Sequence, residues 1–248
     1  MNTTLKQVEN DHKIVIGNDK ENRVHFFADQ LIQKKDTVKE LLHIQTNQLE
    51  APNQSITGLL FGKMYSVYTM GLFEILLNHG LIIDSTPANI GIELKEKNAM
   101  NYIVKEDDVH AMENLTEEEI KAHIYTFLVD HLQPLFQSVA QVSGCKSTHM
   151  RSIVSHNLHQ RKCALMRTHE NKKLVEIIFR WFTSQELFKR NTRNPLNFHF
   201  RYYKADNGKE TYVRRHCCMK YMLHDADKSK CCPTCPLISD EERDDRMK

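Results

Sequence analysis

The sequence is poor in the residues that punctuate loops: 248 residues contain 8 glycines and 6 prolines. That scarcity disfavours a loop-rich β-sandwich and favours helices. Net charge is also nearly absent, since 34 Lys and Arg against 32 Asp and Glu leave +2, so the whole-chain charge names no partner. No Gly-rich phosphate-binding loop is present, and nothing in the sequence points to NADPH or flavin. A membrane span needs about 20 apolar residues. The best candidate, Ile56 to Leu77, is interrupted by Lys63 and Glu74, which makes it a buried helix. Met1 to Asn22 is polar and lacks the apolar core of a signal peptide, so a cytoplasmic location is expected.

What is present is a soluble globular composition, 40% apolar and 27% charged. The patterning predicts a helix-rich α+β fold with a small mid-chain sheet and a C-terminal β-hairpin. Amphipathic helices are expected over Arg23 to Lys35 and Thr37 to Leu49, then the long apolar helix, stopped by Gly80. Short β-prone runs follow at 81–83, 90–92 and 102–104. Thr116 with Glu119 reads as a capping box opening an apolar helical stripe from Ile120 to Val139, which Pro134 should kink or split and Gly144 should end. Ser147 is expected to cap a further helix, and another runs from Glu170 to Phe188 with Trp181, the only tryptophan, on its buried stripe. Beyond Pro195 the period becomes two. Phe198, Phe200 and Tyr202 read as one buried strand face, and Asp206-Asn207-Gly208 as the tight turn of a hairpin. Two regions are expected, 1–110 and 111–248, with residues 213–237 as a ligand-binding segment and the acidic end 240–248 as a frayed terminus.

The seven cysteines are informative through their placement. Five lie within nineteen residues: Cys217, Cys218, Cys231, Cys232 and Cys235. In a reducing compartment such clustering points to metal rather than to structural disulfides. Zinc and iron–sulfur ligation are both open. Only Cys232 and Cys235 form a Cys-x-x-Cys knuckle. The other pair is adjacent, and adjacent side chains on an extended chain diverge, which suits one small ion poorly unless a turn intervenes. A two-iron cluster accepts ligands from different directions, so the spacing favours [2Fe–2S]. Cys145 and Cys163 read as buried apolar residues. His156, His159 and Cys163 share helical spacing, a pattern that chance often produces and that a second metal would also use.

Arg-x-Cys-Cys-x-x-Tyr, a variable loop, then Cys-x-x-Cys-Pro-Leu resembles the C-terminal motif of the FhuF-like ferric-siderophore reductases. The matching residues are Arg215, Cys217, Cys218, Tyr221, Cys232 and Cys235, with Pro236 and Leu237 aligning the knuckle. The close match covers about 24 residues; the first hundred carry none. The loop from Cys218 to Cys232 holds 13 residues, longer than the family's usual spacing, and Cys231 is an additional thiol and an alternate ligand. The resemblance implies a [2Fe–2S] cluster on Cys217, Cys218, Cys232 and Cys235. It also implies one-electron reduction of a ferric siderophore to release Fe²⁺ for iron assimilation. The electron would come from an external donor (a ferredoxin, flavodoxin or reductase), and an inner-membrane siderophore transporter would be touched at most peripherally.

Local charge fits an anionic ligand. From Lys189 to Lys230 there are eleven Lys or Arg and four Asp or Glu. Arg190, Arg193, Arg201, Arg214, Arg215 and Lys220 are the substrate-binding candidates. No nucleic-acid signature accompanies them. The alternatives are a zinc-stabilised siderophore-binding or scaffold module without redox activity, and a siderophore-biosynthesis accessory.

Overall fold

The longest element is the least amphipathic, and everything else is built around it. Gln54–His79 is a 26-residue helix whose apolar residues cover all sides, the mark of a helix buried on every face. Asn53 caps it through the Ile56 N–H at 3.2 Å, and Gly80 ends it in the left-handed region (φ 59°), as expected from its sequence. Gly58 and Gly62 let neighbours close in: a Cβ at Gly62 would stand 2.6 Å from Met150 Cβ, and one at Gly58 would stand 2.5 Å from Ser143 Oγ.

The computed structural model describes residues 2–18, 21–189 and 191–248. Its helices are α1 (Asn2–His12), α2 (Ala28–Gln33), α3 (Lys35–Leu49), α4 (Gln54–His79), α5 (Glu117–Thr126), α6 (Gln133–Ser143), α7 (Ser147–Thr168), α8 (Lys172–Thr183) and α9 (Asp240–Met247). Its strands are β1 (Ile14–Ile16), β2 (Phe26–Phe27), β3 (Leu81–Ile83), β4 (Gly91–Leu94), β5 (Met100–Val104), β6 (Val109–Ala111), β7 (Arg201–Lys204) and β8 (Glu210–Val213). The mid-chain sheet has the order β1-β5-β4-β2, with β1 parallel to β5 and the other pairs antiparallel. β3 pairs with β6, and β7 with β8. The fold is helix-rich α+β. One apolar cluster runs from Val8 to Leu196 and draws on both sides of residue 110.

The three β-prone runs appear as β3, β4 and β5, although β3 joins a different sheet. The helix expected over Arg23 to Lys35 is shorter: Phe26 and Phe27 form an edge strand on Ile92 and Gly91, and α2 begins only at Ala28. The capping box at Thr116 is complete. Pro134 does not break the helical run that Gly144 ends; residues 127–132 widen into a π-turn just before it. The proline ring would crowd the Asp130 carbonyl, and the wider turn relieves that. This turn delivers His131 to the centre of the core. There its Nδ1–H donates to the Ser85 carbonyl at 2.6 Å, and its Nε2 accepts from the Tyr65 hydroxyl. Burial holds His131 down to about 4, so it is a neutral core residue at pH 7. Ser147 starts α7 but does not cap it; the N-cap position is Lys146.

The hairpin also departs from its sequence reading. Ala205 N–H bonds to the Lys209 carbonyl at 2.8 Å, and only Gly208 in the turn has positive φ (81°). This is the longer loop with a left-handed glycine, not a two-residue Asn-Gly turn. Phe198 and Phe200 precede β7, and Tyr202 is 51% exposed, so the three do not form one buried face.

Candidate functional site

The cysteine segment is fixed to the body through the hairpin's second strand. In α7, His156 Nε2 donates to the Tyr212 carbonyl (2.7 Å), and Gln160 Nε2 bonds to Thr211 Oγ1 (2.5 Å). His156 Nδ1 then accepts from Arg214 Nε at 3.4 Å. His156 and His159 are thus spent on anchoring: His159 Nδ1 bonds to the Ser155 carbonyl (2.8 Å) and its ring packs on Phe179 and Phe200.

From β8 the chain runs into the thiols. The Arg214 N–H bonds to the Thr234 carbonyl at 2.8 Å, drawing the Cys232–Cys235 knuckle back to the strand end. The knuckle is a closed turn, with the Cys235 N–H on the Cys232 carbonyl at 2.9 Å. Directly after the adjacent pair, Met219 adopts a left-handed conformation (φ 59°), and its N–H meets Cys217 Sγ at 3.3 Å. A sharp turn therefore follows Cys217 and Cys218, which relaxes the objection that adjacent thiols on an extended chain must diverge.

All five cysteines line one small cavity of about 40 Å³, together with Lys63, Lys220, Tyr221 and Lys230. Cys217 Sγ and Cys235 Sγ are 3.4 Å apart. A proton shared with Cys217 holds the Cys218 thiol down to about 5, with Arg214 and Lys63 adding to the effect and burial opposing it. The same sharing holds Cys235 down to about 6 and pushes the Cys217 thiol up. Burial pushes Cys231 up to about 11. Among the described residues no three His, Cys, Asp or Glu side chains converge as one metal ion requires. The donor chemistry nevertheless suits a soft metal centre: five thiols, two of them favoured as thiolates, with no carboxylate on the wall. Two buried polar atoms without a partner, Arg214 Nη1 and His216 Nδ1, belong to the three residues that lead into Cys217.

Beneath the knuckle lies a residue that the sequence reading did not single out. Arg243 of α9 is 1% exposed and donates to the carbonyls of Pro233, Cys235 and Ile238. Arg246 donates to the carbonyls of Cys231 and Lys228. The C-terminal segment is therefore an ordered strap and not a frayed end. It forms because Ser239 and Glu242 make a complete capping box and because Asp240 pairs with Arg201. The Ser-x-x-Glu spacing carried that signal.

The six substrate-binding candidates separate. Lys220 lies on the cavity wall, and Arg214 stands next to it, between His156 and Cys218. Arg201 is committed to Asp240 through two bonds of 2.9 and 2.7 Å. Arg193 is exposed beside Arg151, Arg215 is exposed, and neither lines the cavity. Arg190 falls outside the described residues. In their place the structure supplies Lys63, whose ammonium pKa burial lowers. It comes from α4, where its only sequence signal was a charge interrupting an apolar run. Cys145 is buried as expected, while Cys163 is only half-buried.

Fold and site together define a helix-rich α+β protein with a thiol-lined cavity at the end of a C-terminal hairpin. Residues 59–210 match the family described as ferric iron reductase FhuF-like transporter, and the chain belongs to that family. The match reaches back to Leu59, well into the region where the sequence motif showed no resemblance, and it stops before Cys217. No curated protein matches the chain. Among the described residues no helix is long and apolar enough to cross a membrane.

Proposed function

We propose that the protein is a cytoplasmic ferric-siderophore reductase holding a [2Fe–2S] cluster on Cys217, Cys218, Cys232 and Cys235. The observation that carries this reading is the gathering of all five clustered cysteines around one cavity, in a chain whose preceding 152 matched residues (59–210) belong to the ferric iron reductase family. Cys232 is the third ligand in this reading because its carbonyl closes the knuckle turn with Cys235. When bound, the cluster supplies a one-electron donor whose all-thiolate ligation favours a low potential.

The remaining roles belong to the chain. Lys63, brought in by α4, and Arg214, at the end of β8, offset the negative charge of a Cys218 thiolate. Arg243 and Arg246 hold the backbone of the knuckle in place by its carbonyls. The cavity opens at Lys220 and Lys230, both exposed, which is where a ferric complex would approach. One electron converts the bound Fe³⁺ to Fe²⁺ with no bond made to the protein. Fe²⁺ binds hard anionic oxygen donors far less tightly, so the metal leaves, and an external donor protein restores the electron.

Protein purified without oxygen is expected to be red-brown and, after dithionite reduction, to give an S = ½ EPR signal. Serine at Cys217, Cys218, Cys232 or Cys235 should lose or damage that signal, and Cys231→Ser should keep it. A colourless protein carrying one zinc overturns the reading. Retention of the signal in Cys232→Ser with loss in Cys231→Ser reassigns the third ligand.

A further inference from the structure

The wall of the cysteine cavity has a one-sided charge. Besides the thiols and Tyr221 it consists of Lys63, Lys220 and Lys230, and no carboxylate reaches it. Among the described residues none of these lysines makes an ion pair. Of the acids nearest in sequence, Asp227 accepts from the Ser229 N–H and hydroxyl at 2.8 and 2.6 Å and acts on Lys230 only through space, without an ion pair. The acids of α9 are engaged elsewhere. Asp240 pairs with Arg201 and Arg243, Glu242 closes its own capping box, and Asp244 accepts from the Asp206 N–H at the hairpin tip. The lysines also differ among themselves. Lys63 is half-buried against Cys218 and Cys232 and is placed to offset thiolate charge. Lys220 and Lys230 are exposed at the mouth and have no thiolate-neutralising position of that kind.

We infer that this mouth selects ferric complexes of net negative charge, such as tris-catecholates and α-hydroxycarboxylates, over neutral or cationic tris-hydroxamates. The inference rests on the reductase reading for the identity of the substrate, but its physical content is a binding preference. Two unpaired ammonium groups at a concave mouth raise the local concentration of an anion and leave a neutral complex indifferent. Because both are solvent-exposed, the preference weakens as salt rises.

The test separates docking from electron transfer by using Ga³⁺, which has the charge and ligand chemistry of Fe³⁺ but accepts no electron. Calorimetric titration of the cofactor-loaded protein at low ionic strength compares a Ga³⁺ tris-catecholate, a Ga³⁺ citrate complex and a neutral Ga³⁺ tris-hydroxamate. The anionic complexes should bind roughly tenfold more tightly than the neutral one. Lys220→Glu with Lys230→Glu should remove that advantage, and Lys220→Gln with Lys230→Gln should remove part of it. The visible spectrum should be unchanged in both variants and the neutral complex unaffected. Equal binding of all three complexes by the wild-type protein, or an equal loss for neutral and anionic complexes in the variants, overturns the inference. Parallel single-turnover assays with the Fe³⁺ complexes distinguish the two readings. Charge-selective Ga³⁺ binding without electron transfer removes the reductase and keeps the docking site. Electron transfer at the same rate to every complex, with equal Ga³⁺ binding, does the reverse.

Discussion

The helical body and the cysteine lobe are held together by different forces. The body buries a continuous apolar cluster in which Tyr65, Tyr68, Tyr102, Phe127 and Phe136 pack edge to face around His131. The lobe's own apolar cluster is small, with Cys231, Cys235 and Ile238 buried and Cys217, Tyr221 and Cys232 packed partly against them. What orders it is polar: guanidinium groups of α9 on backbone carbonyls, and hydrogen bonds from α7 to β8. Apolar burial is non-directional and tolerates small shifts, whereas hydrogen bonds to a charged donor specify a backbone conformation. A scaffold of the first kind presenting a loop of the second kind is a sensible way to hold thiols at set positions without burying them in the main core. Damage to the body should therefore appear as global unfolding, and damage to the lobe as local disorder.

The largest effect is expected where α4 meets α7. Gly62→Val forces a branched side chain into Met150 Cβ and Cγ, each 2.6 Å from where its Cβ would lie, and neither atom is the free end of a side chain. Overpacking of this kind costs about 3 kcal/mol at the upper end of its range. A cooperative drop in melting temperature, with the lobe and body unfolding together, is the expected calorimetric result. An unchanged melting temperature would mean that the helices are not in the tight contact the glycines allow.

A smaller and more local effect is expected in the lobe. Arg243→Met leaves the Pro233, Cys235 and Ile238 carbonyls without their donor. Each hydrogen bond to a charged group contributes about 1.5–3 kcal/mol, but the loss falls on a segment outside the main core. Hydrogen exchange over residues 214–248 should accelerate and limited proteolysis should cut there, while the far-UV spectrum and the exchange of α4 and α7 stay close to wild type. Simultaneous loss of protection in α4 would show that the lobe is part of the body's cooperative unit, and the contrast between the two regions would fail.

The same division explains what could be read from the sequence. The α4 helix was legible because its signals are local: an apolar run, Asn53 before it and Gly80 after it. The capping box of α5 and the gathering of the cysteines were legible for the same reason. The short strands β1 and β2 were not, because Ile14–Ile16 is ordered by pairing with Tyr102, Ile103 and Val104, far along the chain. Lys63 does interrupt the apolar run, but its place at the thiols is not legible, since only the packing of α4 against the C-terminal lobe turns that helix position towards Cys218 and Cys232. Arg201 reads from sequence as a substrate-binding candidate because its partner, Asp240, lies in a segment whose charge alone makes it look like a loose end.

The smallest effect compares one motif in two settings. Thr116 with Glu119 and Ser239 with Glu242 form chemically equivalent capping boxes, the first opening α5 in the body and the second opening α9 in the lobe. In each, the hydroxyl accepts the N–H of the third helical residue and the glutamate reaches back to the cap N–H. Removing the hydroxyl costs about 1 kcal/mol in either place. In Thr116→Ala that cost should be spread over the whole unfolding transition as a modest fall in melting temperature, because α5 runs on through the π-turn into the core. In Ser239→Ala it should leave the melting temperature nearly untouched and instead raise the exchange rate of the α9 amides about fivefold, the factor that 1 kcal/mol represents. The paired measurement is sharper than either variant alone, since the chemistry removed is the same and only the force holding the surroundings differs. If both variants shift the melting temperature equally, α9 is coupled to the core as firmly as α5, and the strap stabilises the body as well as the thiols.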